Sequence, residues 1–230
     1  MLIVNQIEMT ISLAKASCFA NPIRTVVLAY TGASGALYGL RLLECLIQAG
    51  CRVYLTISPA ARVVFKQELD ISFSEDPEKV TKDLLARYDA GQDQLRVFGH
   101  QDWFSPLASG SNPPDAMVIC PCSMGTIAAI ASGVSENLIE RAADVCLKEK
   151  RHLVLVPRES PLSVIHLENM LRLARLGVVI LPPAPGFYHK PTSISDLLDF
   201  VVARILDHLK IDHQLLKHWG MTESTRKIIT

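Results

Sequence analysis

Glycines, hydroxyls and one Arg-Glu pair recur wherever a run of β-branched residues ends. Gly32-Ala33-Ser34-Gly35 follows the run Thr25–Tyr30, Ser58 follows Arg52–Ile57, and Cys122-Ser123-Met124-Gly125-Thr126 follows Asp115–Cys120. Arg158-Glu159 follows His152–Val156, and Gly186-Phe187-Tyr188 follows Val178–Leu181. Small residues let the backbone approach a ligand closely, and a helix starting at such a turn offers free N–H groups to an anion. Two hydroxyl-bearing strand-to-helix turns in one chain point to a nucleotide-like ligand. Either hydroxyl also serves as a plain helix cap, Ser34 in the first turn and Ser123 in the second. Neither turn is a GxGxxG dinucleotide fingerprint or a GxSxG nucleophile elbow.

Charged residues add a second layer. Asn137, Arg141, Asp144 and Lys148 fall at helical spacing on one face. That stripe reads either as a solvated salt-bridged face or as a clamp for a phosphate dianion. Glu159 is either an acid/base group or an ion-pair partner for its neighbours. Tyr188 offers a phenol to a phosphate oxygen. Arg204, on a late helix, is by itself an ordinary surface cation.

The elements that position these groups alternate. Short strands are separated by helical runs over Ala36–Ala49, from Pro59, near Pro77–Tyr88, Thr126–Ser132, Asn137–Glu149, Pro161–Leu176 and Ser195–Leu209, the last with Ser195 as its cap. Such alternation predicts parallel βαβ units in an α/β, doubly wound sheet. In such sheets ligands sit outside the carboxyl ends of the strands. The clusters above therefore converge on one rim.

Composition bounds the rest. The 230 residues are 49% hydrophobic and 20% charged, a globular balance. Basic and acidic residues number 23 each, so no basic excess marks a nucleic-acid binder. Near-neutrality favours self-association. No apolar run is long enough for a transmembrane helix. Residues 1–23 read as an N-terminal extension without the basic start of a signal peptide, followed by a single domain over 24–230 and a cytoplasmic location. The six cysteines read as reduced core thiols. Cys120-Pro121-Cys122 lacks redox or zinc spacing, so no metal is expected.

Five segments in order resemble the UbiX-type flavin prenyltransferase family: Gly32–Gly35, Cys120–Ser123, Asn137–Ala142, Leu155–Glu159 and Ala184–Tyr188. The resemblance runs from about Thr25 to Trp219. It implies a flavodoxin-like, Rossmann-type fold holding FMN between subunits of a homo-oligomer, usually a dodecamer. It implies transfer of a dimethylallyl group from dimethylallyl monophosphate to N5 and C6 of reduced FMN. The product is the prenylated-FMN cofactor of UbiD-type decarboxylases, which act in ubiquinone biosynthesis or on aromatic acids.

By the same resemblance, Gly32, Ala33, Ser34, Ser58, Ser123, Met124, Gly125, Thr126 and Arg158 are FMN contacts. Lys148, Tyr188 and Arg204 hold the phosphate of the prenyl donor, and Glu159 is the acid/base beside it. Glu68 and Arg141 are supporting polar groups, and Trp103 and Trp219 are aromatic walls. No paired carboxylates for magnesium are evident, so the reaction is expected to be metal-independent.

Two rivals remain. A flavin-dependent cysteine decarboxylase would need Pro-Ala-Ser-Ala-Asn-Thr where Pro121–Thr126 stands, and a histidine on the helix over Pro59–Glu68, which has none. A flavin carrier without catalysis would have no use for a second phosphate site.

Overall fold

The computed structural model describes residues 25–216. Six parallel strands form one sheet in the order β3-β2-β1-β4-β5-β6. They are β1 (Thr25–Tyr30), β2 (Arg52–Ile57), β3 (Leu95–Phe98), β4 (Ala116–Cys122), β5 (His152–Pro157) and β6 (Val179–Ile180). β4 throughout and β1 from Val26 onward run through buried positions, as expected of central strands covered on both faces.

Seven α-helices among the described residues connect them: α1 (Ala36–Gln48), α2 (Pro59–Leu69), α3 (Pro77–Tyr88), α4 (Met124–Ser132), α5 (Leu138–Lys148), α6 (Val164–Arg175) and α7 (Ile194–His208). The buried faces of α1, α3 and α7 join one core cluster with Val26, Leu28 and Val118. Those of α4, α5 and α6 join another with Val27, Met117 and Leu155. The doubly wound expectation is met, and the strand order is the Rossmann one.

Several boundaries differ from the sequence reading. β3 was not visible in sequence, because its four residues lie in a polar stretch. β4 runs on through Pro121 to Cys122, and its register against β5 shifts between Ile119 and Cys122. A proline has no N–H to give the ladder, so the shift falls where the donor is missing. α6 starts at Val164, capped reciprocally by Ser163 and His166, three residues later than expected. Ser195 is not a cap. Ser193 is, its hydroxyl accepting from Asp196 N while the Asp196 carboxylate accepts from Ser193 N.

The five described cysteines, Cys45, Cys51, Cys120, Cys122 and Cys146, are buried and form no disulfide among the described residues, as expected of core thiols. Cys18 lies outside the described residues. Among those residues no helix is long and apolar enough to cross a membrane.

Candidate functional site

The strand order reverses direction between β1 and β4, so the crevice of this sheet opens where those two strands end. Two turns meet there. Thr31, just past β1, is buried and ties them together. Its hydroxyl donates to Pro121 O at 3.0 Å and accepts from Ser123 N at 2.7 Å. Sequence reasoning missed Thr31. The signal was a hydroxyl at a strand end directly before a glycine.

The second turn carries Ser123 as the N-cap of α4, accepting from Thr126 N at 3.3 Å. Ser123 Oγ and Thr126 Oγ1 lie 3.0 Å apart and share a hydrogen. Beside them Gly125 is exposed, and a Cβ added there would meet nothing within 4 Å among the described residues. Met124 is buried beneath. The turn therefore offers hydroxyls next to open space.

The first turn is closed from above by α2. Its first helical turn sets Ala60 so near Gly32 that a Cβ on Gly32 would fall 2.5 Å from the Ala60 Cβ. Its last turn brings the Glu68 carboxylate to the start of α1, where it accepts from Gly35 N at 3.1 Å and Ala36 N at 2.9 Å. Those two amides are therefore taken by the chain's own anion. This corrects the expectation that they wait for a ligand phosphate. Glu68 is one of the predicted supporting groups. Partial burial opposes its charge, but hydrogen bonds from Ser34, Ala36 and Gly35 and the nearby Arg158 outweigh that and hold its carboxyl below the usual range.

Ala33 is buried under the turn, and Ser34 is exposed on top of it. Ser58 continues the ladder by donating its N–H to Tyr30 O at 3.0 Å, and its hydroxyl accepts from Ala61 N at 3.0 Å as the cap of α2. A serine in that position still has its O–H to give. Arg158 extends β5 past Pro157, its N–H donating to Cys122 O at 3.3 Å. Its exposed side chain crosses to the first turn, Nε donating to Ser34 O at 3.4 Å. Glu159 is exposed next to it and accepts from Ser160 N at 3.1 Å. Gly32, Ala33, Ser34, Ser58, Glu68, the Ser123–Thr126 turn, Arg158 and Glu159 thus stand on one rim.

Lys148 does not join them within one chain. Lys148 ends α5 just before β5 begins, whereas Arg158 follows the far end of β5. At about 3.3 Å per residue, the six residues of β5 separate those ends by about 17 Å. Lys148 Nζ instead bonds Glu149 Oε1 at 2.6 Å. The supposed clamp on α5 is otherwise occupied too. Asn137 caps the helix, and Arg141 bonds Asp144 Oδ2 at 2.7 Å and Ala108 O at 2.9 Å.

Tyr188 and Arg204 share the outer flank of α7. The Tyr188 ring packs edge-on against Phe200 with centroids 5.6 Å apart, and Arg204 lies one turn beyond Phe200. His189 stacks on Phe200 at 5.3 Å, and both its ring nitrogens are buried without a partner among the described residues. Trp103 and the fully exposed Phe104 stand on the β3–β4 connection. Trp219 lies outside the described residues. Among the described residues, no three His, Cys, Asp or Glu side chains are grouped to hold a metal ion.

Comparison with known proteins follows the same outline. A family model described as Flavoprotein matches residues 17–206. The flavin prenyltransferase UbiX of Pseudomonas aeruginosa is 58% identical over 195 residues, covering 85% of this chain and 93% of its own length. A crystal structure of AnUbiX (PadA1) in complex with FMN and dimethylallyl pyrophosphate aligns with a TM-score of 0.76 at 43% identity, covering 87% of this chain and 99% of that one. A dodecameric FMN-dependent UbiX-like decarboxylase from Escherichia coli O157:H7 aligns with a TM-score of 0.75 at 39% identity, covering 86% and 100%.

Proposed function

Because this chain belongs to the UbiX-type flavin prenyltransferases, within the wider Flavoprotein family, we propose that its β-rim binds FMN and that a dimethylallyl group passes from dimethylallyl monophosphate to N5 and C6 of the reduced flavin. The observation that carries this reading is the crevice at the β1–β4 switch point. There open space at Gly125 meets the hydroxyls of Ser34, Ser123 and Thr126 and the exposed Arg158 guanidinium. A planar phosphorylated ligand fits that set of groups. When bound, reduced FMN supplies the electron-rich ring that accepts the prenyl group.

The chain's own residues divide the remaining work. Arg158 and the rim hydroxyls orient the cofactor. Lys148, Tyr188 and Arg204 neutralise the departing phosphate, each fixed cation or donor supplying a few kcal/mol by rough analogy with oxyanion-hole groups. Glu159 exchanges a proton beside that phosphate. Arg141 steadies the loop before β4 through Ala108 O. Trp103 and Trp219 wall the cationic allyl fragment with π surface and keep water away.

Because Lys148 stands at the opposite edge of its own sheet, it reaches such a crevice only on another copy. A homo-oligomer, read here as a dodecamer, is therefore part of the active site. We read the reaction as metal-independent, so excess chelator should leave turnover unchanged. The product serves a UbiD-type decarboxylase, and buried reduced thiols suit a cytoplasmic protein.

The experiment is an anaerobic incubation of the protein with reduced FMN and dimethylallyl monophosphate. A flavin heavier by one prenyl unit, with a changed spectrum, supports the reading. Bound but unmodified flavin would mean a carrier.

A further inference from the structure

At the end of α7 three side chains form a continuous chain. Arg204 Nη1 donates to Asp207 Oδ2 at 2.6 Å, and His213 Nε2 lies 3.1 Å from Asp207 Oδ1. On its other side, His213 Nδ1 accepts from Leu215 N at 3.3 Å. A ring nitrogen that accepts carries no proton, so in the neutral ring the proton sits on Nε2 and points at Asp207. The backbone N–H of Leu215 thus sets the tautomer, the tautomer sets the donor, and the donor holds the carboxylate.

An isolated i,i+3 pair on a helix surface adds little. This one differs because the far carboxylate oxygen is held by a ring whose side chain is only 8% exposed. Asp207 therefore cannot turn away, and it fixes one edge of the Arg204 guanidinium. Arg204 is itself 53% exposed. It lies one turn beyond Phe200, against which the Tyr188 ring packs. His213 also belongs to the stretch that leads on to Trp219.

We propose that Asp207 and His213 are positioning residues for the prenyl-phosphate site, holding Arg204 in one orientation and tying it to the segment after α7. This rests on the reading of Arg204 as a phosphate-holding cation. A guanidinium fixed in advance binds a phosphate without the cost of ordering a long side chain.

The test is a double-mutant cycle on the FMN-loaded oligomer, with dimethylallyl monophosphate as the varied substrate. Asp207→Asn and His213→Phe should each lower kcat/KM for the donor roughly tenfold while FMN affinity stays within about twofold. His213→Gln, whose amide can replace the Nε2 donor, should restore most of the loss. In an Arg204→Ala background, Asp207→Asn should add nothing further.

Equal multiplicative losses in both backgrounds would overturn the inference, because Asp207 would then act independently of Arg204. So would a normal kcat/KM for the donor in Asp207→Asn, or a fall in FMN affinity that tracks lost thermal stability. If wild-type protein transfers the prenyl group but Arg204→Ala keeps a normal kcat/KM for the donor, the placement of Arg204 fails and this inference with it. If wild-type protein transfers nothing, the proposed function itself fails.

Discussion

The Glu68 carboxylate accepts the Ala36 amide at 2.9 Å, so the amino end of α1 carries a counter-charge drawn from α2. The same carboxylate takes the Gly35 amide and lies near Arg158. It joins the two elements that bracket the first rim turn, and its removal has a defined pH signature.

Glu68 has a folded-state pKa below the ordinary 4.5. A depressed carboxyl stabilises the fold above its unfolded value and loses that contribution as pH falls through its folded value. Glu68→Gln should therefore melt below wild type at pH 7, and the two curves should converge as pH drops below about 4.5 toward 3. Melting temperatures measured across that range check it. A difference that stays constant to pH 3 would mean the charge is not what stabilises the turn.

Two glycines separate folding from cofactor binding. Gly32→Ala forces a Cβ against Ala60 and should cost about 1–3 kcal/mol of stability through overpacking. Gly125→Ala meets no atom of the described residues within 4 Å, so the apo protein should be unchanged or gain up to about 1 kcal/mol in helix propensity. If flavin fills that space, Gly125→Ala should still weaken FMN by roughly tenfold, the affinity equivalent of about 1.4 kcal/mol. Calorimetric melting and FMN titration of both variants distinguish these outcomes. Unchanged FMN affinity in Gly125→Ala would move the ligand away from the second turn.

Much of this arrangement was legible in sequence, because glycines, prolines and caps leave local marks. β1, β2 and β5 and the turn clusters at their ends follow from β-branched runs cut off by Gly, Ser or Pro. β3 was hidden because Leu95–Phe98 is too short to show a period. Glu68 was picked by resemblance, but its bond to the α1 amides depends on the path of α2 over the rim, which no local pattern encodes. Lys148 was put with the prenyl-phosphate set by resemblance, and its helical stripe says nothing of its distance from Arg158. The intervening strand carries them to opposite edges, an effect of topology that helical spacing cannot reveal.

The buried thiols have a chemical consequence. Burial pushes Cys45 up to about 11 and Cys146 up to about 12, and raises Cys51, Cys120 and Cys122 as well. Thiolate is the reactive form, so alkylation of native protein at pH 8 should leave these five unlabelled, while denatured protein labels them all. Peptide mapping by mass reads the result. Rapid labelling of Cys122 in native protein would mean that the second turn opens.

His189 buries two nitrogens against Phe200 without partners among the described residues. An unmet buried polar atom costs about 1–3 kcal/mol, and phenylalanine preserves the stack. His189→Phe should melt at or above the wild-type temperature. A fall of several degrees would mean that a neighbouring copy supplies the missing partner.

The account centres on an active site that one chain cannot complete, and subunit complementation measures this directly. Lys148→Ala and Glu159→Gln should each abolish prenyl transfer. Co-assembled in equal amounts into verified mixed oligomers, they should regain activity at roughly a quarter of wild type, because half the rims keep Glu159 and half of the neighbours facing them keep Lys148. Mixed oligomers that stay inactive would contradict the account, since both groups would then belong to the same chain's site.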